Sequence, residues 1–566
     1  MSDDASECEG LRFMLPNWLV RFWSSFSMTG LLLATLFFAA SLTPTLIPRN
    51  YLTQGVLSGV AAAAGYGLGF FLRWLWRYLE LPEFRARTQF ISKIIASVVC
   101  GLIGLAFLWQ AAEWQNSIRR LMHLDPVDTA HPFEVGAIAL LTFIIVIALA
   151  RLFNLLLYFI SGQLNRFVPK RISYVVGTAI AVLLFWSAAN GVIFRYGLRV
   201  LDSSFQRLDA LMPPDMQAPT DPTKTGSAAS LVRWQDLGRM GRSYIATGPS
   251  AADINAFTKE PAKQPVRVYV GLESGSTPQE RARLALEELK RAGGFNRKTL
   301  VIITPTGTGW VDEQAIDPIE YLHHGDIASV ATQYSYLASW MSLLVEPGYG
   351  AEQSRALFSE IYGYWRNLPR DGRPKLYLFG LSLGSLSTEL SNDLFEVLGE
   401  PYQGELLAGP PFASRIWRSI TNRRNPGTPE WLPQFRDGSY VRFTAQENAL
   451  EIQDAHWGPL RVVYLQYASD PIVFFEPRSF YRQPDWMKTP RGPDVSPDLR
   501  WYPVVTFLQL ALDLAVATTA PIGFGHVYAA ENYIDAWKEV ANIDYWSPVE
   551  TDRLKELFIA KRAGKK

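Results

Sequence analysis

"RPKLYLFGLSLGSLSTELS", residues 373–391, decides how the chain is read. A short apolar run rich in Leu, Tyr and Phe ends in Gly380-Leu381-Ser382-Leu383-Gly384, and a helix-favouring stretch follows. A strand that turns sharply into a helix holds a serine on a tight turn, with small neighbours on either side to leave its hydroxyl clear. The pattern G-x-S-x-G is short. With Gly and Ser each at roughly 7% of residues, a chain of this length carries one by chance about one time in five. The surrounding sequence has to supply a base and an acid.

Ser382 lies inside a segment that alternates strands and helices. Strands are expected at 266–272, 298–305, 375–380, 404–409 and 460–469, with a further strand opening 326–337. Helices are expected at 277–293, 350–368, 385–398, 504–519 and 527–541. Thr277 followed by Glu280 reads as a capping box at the first of these. Such alternation predicts a doubly wound, mostly parallel sheet with helices on both faces.

A serine hydroxyl is a weak nucleophile near neutral pH and needs a base. Six histidines are available. His526, in "PIGFGHVYAAEN", sits in a Gly-rich loop between two helices near the C-terminus. Asp470, in "VVYLQYASDPIVFF", stands at the end of a strand that follows the serine. Alone, Asp470 before Pro471 is an ordinary turn residue, and His526 a structural histidine. Together they complete the chain order Ser…Asp…His with Ser382 as nucleophile, Asp470 as orienting acid and His526 as base. His323 and His324 precede the serine, and His456 precedes the acid. His323, His324 and Asp326 have no further ligand pair at metal spacing, so no metal site is expected. An oxyanion requires two donors. The backbone N–H of Leu383 is one candidate, and Thr306 or Gly307 in the loop "ITPTGTGWVDE" (303–313) is the other. That loop lacks the Lys-Ser/Thr of a phosphate-binding loop, and no cofactor is expected.

The first 200 residues differ in kind. Five apolar stretches, 27–48, 55–76, 91–112, 135–160 and 173–194, each approach the roughly 20 residues that cross a bilayer. Trp and Tyr cluster near their ends. Small residues in "GVAAAAGYGLG" suit close helix packing in lipid. Arg73 and Arg151 sit toward span ends, and no run of carboxylates or histidines marks an ion path. A lipid bilayer is therefore an expected partner. Lys and Arg concentrate in the loops that share a side with the N-terminus, so a cytoplasmic N-terminus and five spans put everything after residue 200 outside the cytoplasm. Residues 212–230, "MPPDMQAPTDPTKTGSAAS", read as a linker. The division expected is 1–200 as a helical transmembrane domain, 201–265 as a juxtamembrane segment and 266–566 as the catalytic domain. The net charge of +1, from 54 Lys+Arg against 53 Asp+Glu, gives no reason to expect nucleic acid. Cys8 and Cys100 form no disulfide framework.

The segments "GRMGRSYIATGP", "VYVGLES", "TPTGTGWVDEQAIDPIEYL", "QYSYLASWMSLL", "FGLSLGS", "LAGPPF", "YLQYASDPIVFF" and "VTFLQLALDLAV…GFGHVY" resemble the bacterial membrane-anchored α/β-hydrolase family. The resemblance covers nearly the whole chain. It implies an N-terminal helix bundle joined to a hydrolase domain, and Ser382, Asp470 and His526 as triad. One position departs from the pattern: the residue before the nucleophile is often Glu in that family and is Leu381 here. The reading that follows is a membrane-anchored serine hydrolase acting on a small-molecule or lipid-like ester. An acyltransferase with the same three residues, or a scaffold with a silent hydrolase fold, are its rivals. Aromatic segments 334–344 and 473–486 are candidates for an acyl pocket, or for core.

Overall fold

The structure is a computed structural model, and it describes residues 27–82, 86–187, 216–336 and 348–564. The chain divides into two compact units. One comprises residues up to Phe185 together with 477–484 and 496–512; the other comprises 186–476, 485–495 and 513–566.

The first unit is helical: α1 (Met28–Ser41), α2 (Tyr51–Tyr78), α3 (Ala86–Leu121), α4 (Pro132–Leu164) and α5 (Lys170–Ser187). Among the described residues three helices, Tyr51–Tyr78, Ile94–Leu121 and Pro132–Leu164, are long and apolar enough to cross a membrane. Five were expected. The first expected span fails because α1 has only 14 residues, about 21 Å at 1.5 Å per residue against a core of about 30 Å. The apolar run continues past Ser41, but Pro44 and Pro48 prevent it from continuing as helix, and Leu42, Leu46 and Ile47 are buried in irregular backbone instead. The fifth stretch reaches Ser187 as helix, and its remainder lies outside the described residues.

Close helix packing uses small residues at the expected place. A Cβ on Gly65 would stand 2.5 Å from the Leu33 carbonyl oxygen on α1, and one on Gly59 2.5 Å from the Ala139 carbonyl oxygen on α4. Large apolar side chains such as Phe70, Trp74, Leu105, Trp109 and Leu140 stay exposed, as lipid-facing residues do. The carbonyls that end α1 take donors from its cap and from further away: Thr43 N–H reaches the Ala40 oxygen at 3.2 Å and Gln54 Nε2 the Ser41 oxygen at 3.0 Å. The buried Gln509 amide adds to these: its Nε2 lies 3.4, 3.3 and 3.2 Å from the carbonyl oxygens of Ala40, Ser41 and Thr43. Ser496 Oγ pairs with Ser117 Oγ of α3 at 2.7 Å. Two stretches from late in the sequence therefore belong to the helical unit.

The second unit is built on seven strands, β1 (Val266–Val270), β2 (Thr299–Thr304), β3 (Ile327–Thr332), β4 (Lys375–Leu381), β5 (Gly404–Ala408), β6 (Val441–Thr444) and β7 (Arg461–Leu465). Their order is β1-β3-β2-β4-β5-β7-β6, and every neighbouring pair is parallel. Every residue of β1, β2, β3 and β5 is buried. That is why these strands read as continuous apolar runs rather than alternating ones. Helices include α6 (Pro278–Arg291), which carries the Thr277–Glu280 capping box, α7 (Glu313–Leu322), α8 (Gly348–Trp365), α9 (Leu383–Glu389) and α10 (Ala530–Val540). The strand order reverses at β2, which lies between β3 and β4. In open parallel sheets the crevice at such a switch, beyond the carboxyl ends of the strands, is where ligands bind. The loop after β2 and Ser382 after β4 meet at that switch.

Several elements differ from the sequence reading, among them unanticipated helices at Gly238–Thr247, Ala251–Thr258, Arg415–Asn422 and Pro548–Gly564. The short edge strand β6 and helix α7 were not anticipated; α7 contains Pro318, and its start is set by Asp312, whose side chain accepts from the Gln314 N–H. The helix expected over 385–398 stops at Glu389. There the Ser391 hydroxyl bonds to the Thr388 carbonyl at 2.8 Å and closes the turn. Residues from 216 onward in the expected linker are folded: Thr225 Oγ1 donates to the Arg267 carbonyl at 3.2 Å, and Ser230 Oγ to Glu288 Oε1 at 2.7 Å.

Buried carboxyls make this unit's stability depend on pH. Glu405 stands on β5, in the sheet interior, beside the Tyr402 hydroxyl. Burial pushes its carboxyl up to about 7. The folded state then holds a proton that the unfolded chain releases near its ordinary pKa of about 4.5. Stability is complete below that value and erodes as pH rises toward 7. Glu405→Gln should flatten the fall in unfolding free energy between pH 4.5 and 7 by up to about 3 kcal/mol. Denaturant titrations of both proteins across that range check it, and parallel profiles would contradict it.

Candidate active site

The backbone at Ser382 is held in an uncommon conformation, φ +60° and ψ −126°, at the junction of β4 and α9. A non-glycine residue there costs on the order of 1–3 kcal/mol and persists only where its surroundings impose it. The surroundings are visible. Gly380 and Gly384 face each other across the turn: a Cβ on Gly380 would stand 2.4 Å from the Gly384 carbonyl oxygen. A Cβ on Gly384 would stand 2.2 Å from the Thr304 carbonyl oxygen of β2. The Ser382 N–H is tied to the Ala408 carbonyl at the end of β5, at 3.0 Å. Both glycines of the motif are thus required by contacts with backbone, which cannot move aside as a side chain would. Leu381, 4% exposed, ends β4 inside the core.

Asp470 and His526 meet, as the sequence reading expected. His526 Nδ1 lies 2.7 Å from Asp470 Oδ2. Asp470 has no exposed surface. Its Oδ2 also accepts from the Tyr528 hydroxyl at 2.6 Å, and its Oδ1 from the Ile472 N–H at 2.8 Å. An ionised carboxylate only accepts, so Nδ1 is the nitrogen that donates to it, and in the neutral imidazole this leaves the lone pair on Nε2. That Nε2 is buried and has no hydrogen-bond partner among the described residues. Its ring lies against Gly409, where a Cβ would stand 2.6 Å from His526 Cε1. Gly409 has φ +52° and directly follows Ala408, the residue bonded to the Ser382 N–H. Ser382 and the imidazole therefore flank the same short stretch of backbone, although no hydrogen bond joins Ser382 Oγ to Nε2. Such contacts are often loose without substrate and close in the reacting complex.

The loop after β2 crosses the start of α9. It is pinned by the Tyr269 hydroxyl, which donates to the Gly309 carbonyl at 2.7 Å, and by Tyr533 of α10, whose hydroxyl donates to Asp312 Oδ2 at 3.0 Å. Burial raises the Asp312 carboxyl to about 7. The expectation that Thr306 offers a donor to an oxyanion needs correction. Its N–H is committed to the Trp310 carbonyl at 3.0 Å, closing a turn within the loop. Gly307 lies inside that turn. Leu383, at the first position of α9, carries one of the N–H groups that a helix start leaves without an intrahelical acceptor.

Apolar side chains cluster beside α9. Leu383 and Leu386 pack with Phe412 and Ala413. Phe412 also meets Phe475, with ring centroids 4.9 Å apart, in a cluster with Ile472, Leu514 and Ala517. Of the aromatic segments expected to line a pocket, Val473, Phe474 and Trp486 are core, and residues 337–344 lie outside the described residues. Tyr528 was not singled out from sequence. A tyrosine two residues after a histidine carries no recognisable signal, and only the fold brings it onto Asp470. Burial, then the Asp470 charge, push its hydroxyl well above the ordinary range, so it stays a donor.

An all-parallel sheet with a strained serine after its central strand, and a buried Asp–His pair against the same Ala408–Gly409 backbone, fits an α/β protein of hydrolase type. The chain belongs to the alpha/beta-hydrolase family: the family's model matches residues 266–554, and that of the alpha/beta-hydrolase family N-terminus matches residues 42–249. No curated protein and no solved structure matches the chain.

Gly384→Ala should lower stability by about 1–3 kcal/mol, because its methyl meets two backbone carbonyls rather than a side chain. Tyr528→Phe removes one of three donors to a buried carboxylate and should cost about 1–3 kcal/mol. Denaturant unfolding of each variant checks both values; wild-type midpoints would contradict the contacts described.

Proposed function

We propose that this protein is a membrane-anchored serine hydrolase that cleaves esters through an acyl-enzyme. The observation that carries the reading is the His526 imidazole, which has Nδ1 bonded to buried Asp470, Nε2 buried and unbonded, and its ring beside the backbone that holds Ser382. In this reading Ser382 Oγ attacks the ester carbonyl carbon while Nε2 takes its proton. The tetrahedral oxyanion receives the Leu383 N–H and a donor from the loop at Gly307. Collapse expels the alcohol, which takes the proton from Nε2. Water then attacks the acyl-enzyme by the same steps and releases the acid and free Ser382. Asp470 holds the imidazole in the required tautomer and stabilises it when charged. The cluster of Leu383, Leu386, Phe412 and Phe475 suits an apolar acyl group, and the apolar helices favour a substrate found at a lipid surface.

A fluorophosphonate probe should label the full chain in detergent, and Ser382→Ala should abolish the labelling. His526→Ala and Asp470→Asn should lower kcat on a p-nitrophenyl ester by at least about 10³-fold. Persistent labelling of Ser382→Ala, or none of folded wild type, would sink the proposal and leave the silent scaffold.

Counted over the five apolar stretches, the Lys/Arg bias supports an extracytoplasmic sheet unit; with only the three long helices crossing, Arg73, Arg77, Arg85, Arg87 and Lys93 would share its side and the bias would favour the cytoplasm. A reporter fused after Lys566 that is active only when exported should be active. Activity of a cytoplasm-dependent reporter instead would reverse the assignment.

A further inference from the structure

A second buried carboxylate, Asp494, stands behind the loop that carries His526. It is 3% exposed. Its Oδ2 accepts from Ser469 Oγ at 2.6 Å, from the Ser469 N–H at 3.3 Å and from Gln446 Nε2 at 2.6 Å. Both donors reach onward to the histidine loop. Ser469 Oγ accepts from the Gly525 N–H at 2.9 Å, and Gln446 Nε2 also lies 3.3 Å from the Gly523 carbonyl oxygen. Gly525 immediately precedes His526, and Ser469 immediately precedes Asp470.

A serine hydroxyl has one proton. Where Ser469 Oγ accepts from Gly525, its proton must point to an acceptor, and Asp494 Oδ2 is that acceptor. The carboxylate thus orients the hydroxyl, and the hydroxyl holds the loop. The loop needs holding. Gly523 and Gly525 have φ of +94° and +56°; the backbone bonds of the turn run from Gly523 N–H to the Val527 carbonyl at 2.7 Å, Phe524 N–H to Pro521 at 3.1 Å, Val527 N–H to Phe524 at 3.2 Å and, at a long 3.4 Å, His526 N–H to Ala517, and none of them holds the Gly525 N–H that Ser469 takes. The segment carrying Asp494 is itself pressed onto the Ala468 side chain, three residues past β7, since a Cβ on Gly492 would stand 1.9 Å from Ala468 Cβ.

We infer that Asp494 is a positioning residue for the reaction: acting through Ser469 and Gln446, it fixes the 523–526 loop so that the imidazole reaches Asp470 and Ser382 together. This rests on the proposed serine chemistry. Asp494 touches neither substrate nor the reacting atoms. A displacement of about 1 Å at a reacting group costs up to about 10²-fold in rate, which sets the size of the expected effect.

The test uses the full chain in detergent, a p-nitrophenyl ester for kcat and KM, and the rate of fluorophosphonate labelling. Asp494→Ala should lower kcat and the labelling rate by about 10–100-fold with KM within about twofold. Asp494→Asn keeps an oxygen to accept from Ser469 and should recover most of that loss. Ser469→Ala, a smaller change that retains the carboxylate, should match Asp494→Ala, and the double variant should be no worse than either single one. If Asp494→Ala does not fold, Ser469→Ala against wild type carries the same comparison. Wild-type kcat in Asp494→Ala or Ser469→Ala, multiplicative losses in the double variant, or losses that track only the folded fraction would overturn the inference. Absence of labelling in folded wild type would instead overturn the serine chemistry on which it rests.

Discussion

A carboxylate with no exposed surface is tolerable only if its lone pairs are used, and Asp470 uses them on an imidazole, a phenol and a backbone N–H. That requirement organises the region around it. The phenol comes from Tyr528 and the imidazole from His526, two residues apart, so one carboxylate fixes where the segment between the last helices must run. The ring of Tyr528 stacks on Tyr467 with centroids 4.4 Å apart, and the Tyr467 hydroxyl accepts from the Ala529 N–H at the start of α10. The imidazole rests on Gly409, where any side chain would collide with it. Burial of one acid thereby determines the tautomer of the histidine, the path of its loop and the register of the helix that follows.

The sheet contributes the other half of the site by steric exclusion. Ser382 adopts its strained backbone because β2, β4 and β5 leave room for nothing but glycine at 380 and 384 and offer the Ser382 N–H an acceptor at Ala408. The strain is held by a sheet whose strands are buried on both faces, which makes the serine's placement a property of the core rather than of a loop.

Much of this was legible in the residues. Parallel strands covered on both faces must be apolar throughout, so β1, β2 and β4 announce themselves, and the Thr277–Glu280 cap marks the start of α6. Gly380 and Gly384 are required by contacts that any chain making this turn must form. The order Ser382, Asp470, His526 was readable, and the pairing of the last two follows the expectation. Other features depend on contacts distant in sequence and were not readable. Hydropathy does not register that Pro44 and Pro48 end α1 at 14 residues. Nothing near Gln509 indicates that its amide caps a helix more than 460 positions earlier. Thr306 looked like a donor because the turn to Trp310 that occupies its N–H is a matter of backbone geometry, and Tyr528 and Asp494 find their roles only once β7 brings residues 467–470 under the histidine loop.

The most direct measurement is an experimental structure of the full chain after reaction with a fluorophosphonate. The account predicts phosphorus bonded to Ser382 Oγ, a phosphoryl oxygen on the Leu383 N–H, and His526 Nε2 within hydrogen-bond distance of the adduct while Nδ1 remains on Asp470. Phosphorus on another residue, or an imidazole turned away from Asp470 with the serine modified, would contradict it.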